Sequence, residues 1–74
     1  MPALNPHAAA QRTEALAEHA TLSRHLAYMV RQRSTARAEG REWAVPLIDG
    51  ALSALRDALA ATSATVARYA RESR

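Results

Sequence analysis

From His7 to Glu39 the chain contains neither glycine nor proline, and that uninterrupted run decides most of what it can become. Built largely from alanine, leucine and arginine, such a run reads as one long helix. Asn5-Pro6 supplies the start, with Asn at the N-cap and Pro at the first helical position, where φ is already set and no donor is lost. Gly40 stands where a helix ends on a left-handed residue. Pro46 opens a second run that reaches Glu72 and is interrupted only by Asp49-Gly50. That pair reads as a delay of about one turn, with Asp49 as the N-cap of the second helix. The expected fold is therefore all-α: an antiparallel helical hairpin in a single domain over 1–74, with helices over about 6–39 and 46–72 and a turn over 40–45. At 1.5 Å per residue the helices would run to roughly 50 Å and 40 Å, and the short connection makes them antiparallel neighbours.

The second helix carries the cleaner hydrophobic pattern. Ile48, Leu52, Leu55, Leu59, Thr62, Val66 and Tyr69 recur at alternating spacings of four and three, the signature of an a/d seam. Beside it runs a line of small residues, Ala51, Ala54, Ala58, Ala61 and Thr65, suited to close backbone approach. On the first helix the corresponding line is patchier: Ala8, Arg12, Ala15, His19, Leu22, Leu26, Met29, Arg33 and Ala36, with Leu16 and Val30 on its flank. Folding the hairpin about Trp43 predicts that Leu26 meets Leu59, Val30 meets Leu55, Arg33 meets Leu52 and Leu16 meets Tyr69. Residues before about 13 would then overhang, so Ala8 to Ala10 should pack on another chain or fray. The association seam expected from these patterns is Leu22, Leu26, Met29, Val30, Ile48, Leu52, Leu55, Leu59, Val66 and Tyr69.

That seam is thin. Leu, Ile, Val and Phe together make twelve of 74 residues, roughly 16%, below the ~20% that accompanies a self-sufficient core. Alanine, at nineteen positions, favours helix but buries little area per residue. The expectation is a hairpin completed into a four-helix bundle by self-association, or docked on a larger protein partner.

Several classes of function are disfavoured. Without cysteine there is no disulfide framework, thiolate metal site or cysteine nucleophile. No apolar run approaches the ~20 residues that cross a bilayer, and Met1 to Pro6 shows neither a basic nor an apolar leader segment, so a cytoplasmic protein without membrane partner is expected. An arginine-only, alanine-rich composition also fits a GC-rich bacterial or phage genome. There is no glycine-rich phosphate loop and no strained nucleophile turn, and two helices do not easily wall a pocket. Neither an enzyme, a cofactor nor a small-molecule substrate is expected. His19 lies on the seam and His25 six residues on, off its face. Glu14 and Glu18 are a solvated pair, so no metal site is expected.

The functional lead is basic. Arg24, Arg31, Arg33, Arg37 and Arg41 set five positive charges against the single acid Glu39. Arg33, Arg37 and Arg41, four apart, would form a ridge; Arg31 lies around the helix. Such a ridge suits phosphate contacts on nucleic acid, although cations near a helix C-terminus also offset its dipole, and Arg68, Arg71 and Arg74 are placed the same way. Trp43, the only tryptophan, either covers Ala36, Leu47 and Ile48 at the end of the seam or anchors a partner. The candidate binding residues are thus Arg31, Arg33, Arg37, Arg41 and Trp43. The leading expectation is a non-enzymatic protein–protein interaction module, with a nucleic-acid-binding regulator and a minor structural subunit of a larger particle as alternatives.

Overall fold

A computed structural model describes residues 6–72. Helix α1 spans Pro6–Ala38, a single 3-10 turn spans Glu42–Ala44, and helix α2 spans Val45–Glu72. The described residues form a helical hairpin without strands, as the breaker pattern predicts. Asn5, the expected N-cap, lies outside the described residues. The molecule is a rod, with extents of 61 × 14 × 12 Å and a radius of gyration of 17.0 Å, against ~11 Å for a compact domain of this length.

The turn is closed by a glycine cap. Gly40 takes φ +74°, and the chain after it folds back so that Arg41 N–H donates to Ala36 O at 2.8 Å and Gly40 N–H donates to Arg37 O at 3.2 Å. This is the paired arrangement of a Schellman motif, which satisfies the orphan carbonyls at the end of α1. Ala44 N–H then donates to Arg41 O at 3.0 Å, and the 3-10 turn passes into α2 without a break. Helix α2 consequently starts at Val45, not a turn later: Asp49 is not its N-cap but sits inside it, with Gly50 beside it.

The two a/d lines form the interface. Leu52 and Leu55 are buried, and Ile48, Leu59, Val66 and Tyr69 are half-buried. Thr62 is also buried, its hydroxyl donating to Ala58 O at 2.8 Å, so the polar residue of the seam leaves no unmet donor. From α1, Ala8, Ala15 and Ala36 are buried, and His19, Leu22, Leu26, Met29 and Arg33 are half-buried. Arg12 stays exposed.

Val30 lies on the flank of the seam, 47% exposed. Arg33 reaches Asp49, and Leu16 shares a groove with Ser63 and Val66. The fold is thus centred nearer Gly40 than Trp43, because the glycine cap reverses the chain before the tryptophan. Ala8 is fully covered.

Candidate interaction site at the turn end

The turn end is built by the glycine cap and by one ion pair across the helices. Arg33, on the seam of α1, sends its guanidinium to Asp49 one turn into α2, with Nε–H donating to Oδ1 at 2.6 Å and the second guanidinium nitrogen to Oδ2 at 3.4 Å. This fork on a carboxylate is a geometry only arginine supplies. The hydrogen bond from Arg33 is the main reason that the Asp49 carboxyl sits below its ordinary pKa, with the charges of Arg33, Arg37 and Arg56 acting the same way. The same bond raises Arg33. Across the cap, Arg41 pairs with Glu39 at 2.6 Å, the two residues bracketing Gly40.

These pairs dissolve the expected ridge. Arg41 lies beyond the end of α1, so Arg33, Arg37 and Arg41 do not continue along one helix face. Arg33 and Arg41 are each matched to a carboxylate, whereas Arg31 and Arg37 hold no carboxylate among the described residues. At the other end Arg68 pairs with Glu72 at 3.3 Å and lies over the Tyr69 ring at 5.3 Å; Arg74 is outside the described residues.

Trp43 does not cover the end of the seam. It is 70% exposed, and Leu47, four residues on, is 68% exposed. The side chain that fills the end is Val45, 7% exposed, because the 3-10 turn points it inward and leaves the larger tryptophan outside. The turn end therefore presents two large apolar side chains in the segment that follows the Arg41–Glu39 pair. Leu47 and Asp49 were not singled out as site residues. The four-residue step from Trp43 to Leu47 was the available signal for the first; the second needed the register of the hairpin.

Elsewhere, His19 lines a shallow groove with Leu16, Ser63 and Val66. No group of three or more metal-ligating side chains gathers among the described residues, and no described helix is long and apolar enough to cross a membrane. No family model, curated protein or solved structure matches this chain.

Proposed function

We propose that this chain is a small, non-enzymatic protein–protein interaction module of the cytoplasm, a helical hairpin that associates with itself and offers its turn end to a partner. The observation that carries this reading is the incompleteness of the hairpin's own core. Ala8 and Ala36 are fully covered, but among the described residues no larger side chain is. Its accessible surface of 5260 Å² exceeds the ~4,450 Å² of a compact monomer of this mass. Association removes that deficit, and exposed Trp43 with Leu47 then forms the kind of aromatic anchor that dominates interfaces.

A nucleic-acid-binding reading has less support, since Asp49 and Glu39 already neutralise Arg33 and Arg41. The test is solution mass by light scattering over a concentration series, with the helical circular dichroism recorded on the same samples. A helical species at a multiple of 8.0 kDa is expected. A helical monomer at every concentration sinks the self-association, and a poorly helical monomer assigns the missing core to a different protein.

A further inference from the structure

The unmatched charges of the hairpin are sorted by side. On α1 one heptad line beside the seam is Leu16, Ser23, Val30 and Arg37, with Arg12 a turn before Leu16. Asp49, Arg56 and Ser63 form the corresponding line on α2. Leu16 and Ser63 border one groove, and Arg37 and Arg56 both act on the Asp49 carboxyl, which puts the two lines on one broad face. Asp49 is taken by Arg33. Arg12, Arg37 and Arg56 therefore stand on this face with no carboxylate of their own among the described residues.

The other broad face is the reverse. Its α1 line is Glu18, His25, Gln32 and Glu39, with Glu14 a turn before Glu18, and its α2 line is Ala51, Ala58, Thr65 and Glu72. Glu39 is taken by Arg41 and Glu72 by Arg68. Glu14 and Glu18 hold no cation among the described residues. Arg24 and Arg31 lie on the outer edge of α1, and Asp57 and Arg71 on that of α2, so they belong to neither face.

We propose that copies of this chain stack in the same direction, the arginine face of one covering the glutamate face of the next. The proposal rests on the self-association reading above and names the two faces that meet.

Charge complementarity selects a second copy as the occupant. In a same-direction stack, Arg12 of one copy comes close to the level of Glu14 and Glu18 of the next, and Arg56 lies over Ala54 and Ala58. Leu16 and Val30, each 47% exposed, are covered by the same contact. Pairing two like faces would leave the arginines, or the glutamates, with no opposite charge to meet.

The area also suits a stable contact. Helix α2 has 28 residues, about 42 Å at the helical rise, and two helices side by side are roughly 20 Å across. A face thus offers roughly 800 Å² per copy, the area that each partner of a stable interface buries. Because the two faces differ, a pair still shows one free face of each kind, and the row does not close at two copies.

The decisive experiment uses the full chain. Glu14→Arg with Glu18→Arg makes both faces basic; Arg12→Glu, Arg37→Glu and Arg56→Glu together make both acidic. All five positions are exposed and receive another good helix former, and circular dichroism on each sample checks the hairpin. By light scattering, the wild-type mass should grow past two chains with concentration and fall with added salt. Each variant alone should show a dissociation constant raised about tenfold or more, and an equimolar mixture of the two should associate again. A mixture that stays monomeric, or variants that associate as the wild type does, overturns the pairing of faces; so does a wild-type mass indifferent to salt, whatever the variants do. A wild-type mass that stops at two chains overturns the stack but leaves the self-association reading standing, and a wild-type monomer overturns both. Direction is read from spin labels on Ala38→Cys, the only cysteine in that variant. Labels within roughly 20 Å support the shared direction, and a separation of roughly 50 Å overturns it.

Discussion

Two glycines in one short chain do opposite things, and the difference is set by φ. Gly40 holds +74°, a region in which a side chain crowds the neighbouring carbonyl. Gly50 lies in the interior of α2 with nothing within 4 Å of where a Cβ would stand. Gly40→Ala is therefore expected to lower stability by about 1 kcal/mol or more, and Gly50→Ala to raise it by ~1 kcal/mol, both read from thermal or urea unfolding. Opposite signs are the required result; a common sign would remove the glycine cap from the account of the turn. A second residue-scale expectation concerns Asp49. Its carboxyl is held below its ordinary value, chiefly by the Arg33 hydrogen bond, so its contribution is fully present above the unfolded value near 3.9. That contribution is lost as the pH falls through the lower folded value. The acid limb of a stability–pH profile should be shallower in Asp49→Asn than in the wild type. Since the Arg33 and Asp49 side chains are 31% and 49% exposed, added salt should narrow the difference.

At the scale of the element, the two helices differ in how they hold the seam. Helix α2 contributes the buried leucines, Leu52 at 3% and Leu55 at 9% exposure, whereas α1 buries only alanines and lays half-covered side chains against them. Leu52→Ala should accordingly cost ~2–5 kcal/mol, and Leu59→Ala, at a half-buried level, less than Leu52→Ala. Equal losses would mean that Leu59 is covered by something beyond the hairpin. The seam lines, the hairpin and Gly40 were legible because each depends on local spacing and local φ. Other features depend on what one helix meets on the other. Asp49-Gly50 has the look of a helix start, but the 3-10 turn had already launched α2, and Arg33 drew Asp49 across the hairpin. The Arg33–Arg37–Arg41 spacing implied a ridge only while the helix lasted, and Gly40 ends it. Trp43 has the size to close the seam, yet the turn gives that place to Val45.

For the whole molecule, the consequence is a stability that belongs to an assembly. A rod with a radius of gyration of 17.0 Å and no large side chain fully covered among the described residues has little left to offset the entropy of ordering its chain. If a second copy supplies the remainder, folding and association are one equilibrium, and the folded state is favoured by mass action. A tenfold rise in protein concentration then adds about 1.4 kcal/mol per dimer. Spread over a bundle of two chains, that raises Tm by about 3–6 °C. The check is a set of thermal melts of the wild type over two decades of concentration, in which Tm should climb with concentration. A Tm that ignores concentration would make the isolated hairpin the folded unit, leaving Leu16, Val30, Trp43 and Leu47 all turned toward partners of a different sequence.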